Sequence, residues 1–185
     1  MPSDTLLFKA AFSRIKELQI SSTLMTWNEL LTLVSNMPSL RIIEAGYNRL
    51  HSLSNSRNAL SGTANALSTL QEINLDGNLL SQWSEVCFAV APFVGYVNSA
   101  LYILVETYGK LLSLERLVLS GNQLETIDER VDNRQRLDHL KHLSLTSNHF
   151  RDIRDIDRLT LWCPELVSLT LASNPLVLGP LLALN

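Results

Sequence analysis

Cysteine is scarce. Cys87 and Cys163 are the only two in 185 residues, too few for the disulfide framework of a small secreted domain. Seven glycines and six prolines exclude a collagen-like or low-complexity chain. Neither sign of charge dominates: 15 Lys and Arg against 18 Asp and Glu give a net charge of −3 and a pI near 5.8. No basic footprint for nucleic acid therefore exists. Asn-x-Ser/Thr acceptors are absent, and the N-terminus lacks the charged, apolar and small-residue order of a signal peptide. Together these absences point to a reducing, cytoplasmic setting, compatible with cytoskeletal association, in which both cysteines serve as small buried hydrophobes.

Recognisable chemistry is missing too. No phosphate-binding G-x-x-x-x-G-K-[ST], no G-x-S-x-G and no H-E-x-x-H occurs. His51, His139, His142 and His149 have no cysteine or carboxylate at ligand spacing, which argues against zinc. The expectation is a protein with no catalytic residue, no metal and no cofactor.

What the chain does have is one eleven-residue pattern repeated six times, L-x-x-L-x-L-x-x-N-x-L, the leucine-rich repeat signature. It reads LQEINLDGNLL at Leu70–Leu80, LERLVLSGNQL at Leu114–Leu124, LKHLSLTSNHF at Leu140–Phe150 and LVSLTLASNPL at Leu166–Leu176. IKELQISSTLM at Ile15–Met25 and LRIIEAGYNRL at Leu40–Leu50 are looser copies. The period-two leucines predict a short strand with one apolar face, near Glu17–Ile20, Ile42–Ala45, Glu72–Leu75, Arg116–Leu119, His142–Leu145 and Ser168–Leu171. The ninth position holds Asn48, Asn78, Asn122, Asn148 and Asn174, with Thr23 in the first copy. An amide both donates and accepts, so it can satisfy backbone groups where each coil turns.

Between strands the chain must return. Trp27–Val34 and Trp83–Val90 read as short amphipathic helices, and Ile153, Ile156 and Leu159 share one helical face. The predicted fold is α/β: a leucine-rich repeat solenoid of about six coils, with a parallel sheet on the concave face and helices on the convex face. One domain covers residues 1–185. The sign-alternating runs Asp128–Arg136 and Arg151–Arg158 read as solvated faces with pairs such as Arg151 with Asp155.

The repeats start at 15, 40, 70, 114, 140 and 166, so the steps are 25, 30, 44, 26 and 26. Removing residues 93–110 from the long step restores 26, which marks that apolar stretch as an insertion. Val86–Val105 is also 20 residues without a charge, long enough to span a bilayer. A span there would separate coils that need one another to bury their leucines, so membrane insertion is the less favoured reading.

The third, fifth, seventh and eighth positions of each repeat point away from the core. In the first three coils they include Glu17, Glu44, Tyr47, Glu72, Asn74 and Asp76; Arg116 opens the fourth, and the remainder are small and nearly neutral. These seven side chains are the candidate partner-binding residues. An acidic stripe favours a basic partner segment, or serves only to keep the sheet soluble.

The segments between the repeats carry a resemblance. TLMTWNELLTLVSNMPSLRIIEAGYNRL at Thr23–Leu50, LDGNLLSQWSEV at Leu75–Val86 and CPELVSLTLASNPLV at Cys163–Val177 resemble the leucine-rich repeat region of the tubulin-folding cofactor E family. The resemblance implies a non-enzymatic chaperone that binds α-tubulin and works with other tubulin-folding cofactors to assemble or dissociate the heterodimer. The family's CAP-Gly and ubiquitin-like domains have no counterpart in these 185 residues. The alternative is a cytosolic regulatory or scaffold subunit of the same repeat class, of the phosphatase-docking or the ribonucleoprotein type.

Overall fold

The computed structural model describes residues 10–53, 69–90, 114–128 and 136–176. Six three-residue strands lie in one parallel sheet in chain order: β1 (Glu17–Gln19), β2 (Ile42–Glu44), β3 (Glu72–Asn74), β4 (Arg116–Val118), β5 (His142–Ser144) and β6 (Ser168–Thr170). Each strand ends one residue before the sequence pattern suggested, at the fifth repeat position, although the sixth-position N–H still donates to the next coil. Register is identical at every step, with Leu18, Ile43, Ile73, Leu117, Leu143 and Leu169 aligned across the sheet.

Three helices return the chain: α1 (Trp27–Val34), α2 (Trp83–Val90) and α3 (Ile153–Trp162). Helix α1 starts where Thr26 accepts from the Glu29 N–H and Glu29 accepts from the Thr26 N–H, a reciprocal capping box. Asp152 caps α3 by accepting from the Arg154 N–H. Trp27, Leu30, Leu31 and Val34 of α1 join the fourth- and sixth-position leucines in one continuous core. No coil could bury that apolar surface alone, so the stack folds as a unit.

Strands β3 and β4 pair directly, Ile73 opposite Leu117, although 44 residues separate their repeats. The sheet is thus continuous across the long step. Residues 93–110, proposed as an insertion, lie outside the described residues, as do most of Val86–Val105. No described helix is long and apolar enough to cross a membrane.

In the return of the fourth coil, residues 125–128 have no regular secondary structure and are fixed by their neighbours, while most of Asp128–Arg136 lies outside the described residues. Arg158 of α3 and the Trp162 indole donate to the carbonyls of Ile127 and Asp128. The Asp128 carboxylate accepts from the Ser84 N–H at the start of α2. Trp83 and Trp162 then meet edge to face, ring centroids 6.2 Å apart, so α2 and α3 touch across the intervening coil.

The anticipated Arg151–Asp155 pair does not form. Asp155 is buried and pairs with Arg158 at 2.8 Å, while Arg154 pairs with Asp152. The run is therefore only partly a solvated face. Arg158, three residues on, donates to both the Ile127 carbonyl and Asp155, whereas Arg151 is exposed.

Candidate functional site

The eighth position of every coil has a positive φ: Ser22, Tyr47, Gly77, Gly121, Ser147 and Ser173, all between 55° and 66°. Left-handed backbone favours glycine, and two coils use it. The turn is held because the eighth-position N–H donates to the seventh-position carbonyl of the next coil, as Tyr47 does to Asp76 and Gly77 to Ser120, each at 2.8 Å. The sheet's ladder thereby continues past the strands.

Beneath that turn lie the ninth-position amides. Asn48, Asn78, Asn122 and Asn148 are buried, and Asn174 is half-buried in the last coil. Each donates to the sixth-position carbonyl of its own coil and of the coil before: Asn78 to Leu75 and Ala45, Asn122 to Leu119 and Leu75, Asn148 to Leu145 and Leu119. The amide oxygens accept from the preceding coil, as Asn78 does from the N–H groups of Asn48 and Leu50. Thr23 occupies the ninth position of the first coil, and among the described residues no strand precedes it. Its hydroxyl bonds the Ile20 carbonyl and the Asn48 amide oxygen.

On the face turned from the core, Glu17, Glu44, Glu72, Asn74 and Arg116 lie on the neighbouring strands β1 to β4, and Tyr47 and Asp76 lie in the turns that follow β2 and β3. Several of them are joined. Asn74 donates to the Glu44 carboxylate at 2.8 Å, and Arg116 pairs with Glu72 at 3.5 Å. Glu17 accepts from Gln19 on its own strand. Glu17, Tyr47 and Arg116 are exposed, while Glu44, Glu72, Asn74 and Asp76 are half-buried. Among the described residues nothing donates to the Asp76 carboxylate; it lies against Gly46, where an added Cβ would come within 1.9 Å of its Oδ1. Gly46, counted as an open outward position in the sequence, is therefore covered. The Tyr47 ring lies over Gly77, 2.4 Å from where a Cβ would be.

The neutral half also forms a network. Ser120 and Ser144 share a hydrogen bond of 2.7 Å, and Thr170 donates to Ser144 at 2.7 Å, so one hydroxyl chain links the last three coils. Sequence reasoning missed it because these residues occupy two different repeat positions.

Elsewhere the chemistry is quiet. Cys87 and Cys163 are buried free thiols. Burial pushes Cys163 up to about 12 and Cys87 well above its ordinary value, so both stay protonated and inert at neutral pH. No group of three His, Cys, Asp or Glu among the described residues could hold a metal ion.

Repeat register, parallel sheet and asparagine ladder define a leucine-rich repeat solenoid. An internalin from Listeria monocytogenes shares the fold: TM-score 0.50 at 18% identity, covering 98% of this chain and 48% of that one. The chain is similar to tubulin-folding cofactor E of Arabidopsis thaliana, 26% identical over 166 residues, which is 88% of this chain. It spans 28% of the length of that curated relative. No family model matches. The fold and this similarity support a protein-binding repeat module.

Proposed function

We propose that this chain binds α-tubulin through the outward face of its sheet and contributes to the folding of tubulin and the assembly or dissociation of its heterodimer. The observation that carries the reading is the similarity to tubulin-folding cofactor E over 88% of the chain. A row of six strands with polar, partly exposed side chains is a surface suited to a protein partner. The contact falls on Glu17, Glu44, Tyr47, Glu72, Asn74, Asp76 and Arg116, with other tubulin-folding cofactors as further partners of a cytoplasmic protein.

The test is co-sedimentation or gel filtration of the purified chain with purified αβ-tubulin. A stable complex, weakened by joint Glu44→Lys, Glu72→Lys and Asp76→Lys substitution without loss of melting temperature, is the expected result. Absence of any complex overturns the tubulin reading. A complex indifferent to the triple substitution moves the contact off this face.

A further inference from the structure

We propose that Tyr47 and Asp76 form the anchor of this face and seat an arginine or lysine side chain of a basic partner segment, with the cation on the Tyr47 ring and beside the Asp76 carboxylate. The inference rests on the reading of the outward sheet face as the docking surface and adds the chemistry of what docks there.

Tyr47 is a large aromatic that the core does not use: it is 59% exposed. Its backbone has φ 56°, a conformation that glycine or a small polar residue fills at the other five equivalent positions. Folding alone gives no reason for a tyrosine there. The ring is nevertheless held in place, because it rests on the bare backbone of Gly77. A rigid, exposed aromatic loses little conformational freedom on binding, which is what an interface anchor requires. Its open π face attracts a cation.

Asp76 supplies the matching charge. Tyr47 donates its N–H to the Asp76 carbonyl at 2.8 Å, so the two residues sit on one seam between the second and third coils. Their side chains cross that seam in opposite directions, ring over Gly77 and carboxylate over Gly46. Arg116 offsets Glu72 on the same face, which leaves the charges of Glu17, Glu44 and Asp76 without a cationic partner among the described residues. Arg41 and Arg49, at the second and tenth repeat positions, are exposed and form no ion pair with these carboxylates among the described residues. Beyond Gly77, a Cβ at Gly121 would meet only the Gly77 backbone, at 3.5 Å, so the surface next to the ring stays open to a partner's main chain.

The experiment uses the full chain and a fluorescent peptide of alternating arginine and glycine, with a second peptide in which citrulline, neutral and nearly isosteric, replaces arginine. Binding is read by anisotropy, and the Tyr47 ring by NMR. The arginine peptide should bind and shift the ring resonances, while the citrulline peptide should do neither. Tyr47→Gly removes the ring and suits the backbone, so it should fold as well as the parent; it should weaken the peptide by about two- to fivefold, the range of an exposed cation–π contact. Tyr47→Phe should bind like the parent, and Asp76→Asn should weaken binding further at low salt than at high salt. Equal binding of both peptides, an unshifted ring, or parental affinity in Tyr47→Gly overturns the proposal. Loss of tubulin with the arginine peptide still seated at Tyr47 would refute only the partner. Tubulin retained at full strength by Tyr47→Gly would refute only the anchor.

Discussion

At the scale of single residues, the buried amides are the costliest to change. Asn78 makes two acceptor and two principal donor contacts, all to backbone groups that water cannot reach. Asn78→Ala strands those groups together, and a loss of about 2–5 kcal/mol in urea denaturation is expected. A loss below about 1 kcal/mol would show that the coil relaxes around the gap. Asp152 gives a pH-dependent counterpart. Its pairing with Arg154, by side-chain and backbone hydrogen bonds, lowers its carboxyl from 3.8 to about 2. A depressed acid contributes stability in full above its ordinary value and loses it as the pH falls through about 2. Asp152→Asn keeps the cap acceptor, so the variant should lack the part of the acid-side slope that the parent shows between those two values. Parallel urea midpoints for both proteins across that window would refute the assignment. Burial raises Asp155 instead, and its contribution runs the other way, growing as the pH falls.

The elements themselves were largely readable from the sequence. Period-two leucines located all six strands to within a residue, and α1 and α2 fall on the stretches their spacing marked. The ninth position was visible in the pattern because one amide does the same work in each of the five coils that carry it. What could not be read lies across coils. The Asp128 clamp on α2 and α3 joins positions 34 and 44 residues apart, with no periodic signal between them. Tyr47 resting on Gly77 is likewise a contact of two irregular residues, and the left-handed turn that they share carried no mark in the repeat pattern. Burial of Asp155 was hidden by the charges around it. Strand-level packing has a direct test. Leu119 is fully buried, and Leu119→Ala should cost about 2–5 kcal/mol through lost contact and a residual cavity. Thermal and urea unfolding of the variant measure it.

For the molecule as a whole, contacts run mainly between sequential neighbours, so stability is distributed along an axis. Leucines of the two edge coils, Leu18 and Leu169, are only half-buried, whereas Ile43, Leu117 and Leu143 are buried. Amide hydrogen exchange should accordingly be fastest in β1 and β6 and slowest in β3 to β5. Uniform protection would mean that the stack opens only as one unit. The unbroken β3–β4 register makes a second demand: removing residues 93–110 should leave the ladder intact, with a melting temperature equal to or above that of the parent. A large drop would place that segment within the fold.

The amide ladder, finally, has an arrow. Every ninth-position asparagine reaches back to the coil before it and none reaches forward, so each coil carries the fastener for its predecessor. Growth of such an array is therefore asymmetric. A coil appended after β6 brings its own fastener and finds the Leu171 carbonyl ready to accept it. A coil placed before β1 would meet Thr23, whose short hydroxyl already bonds within its own turn, and the joint would lack an amide. Duplicating an interior coil changes neither junction. Lengthening the array within it or after β6 should therefore leave the ladder whole, whereas a coil joined before β1 should need Thr23→Asn to complete its joint.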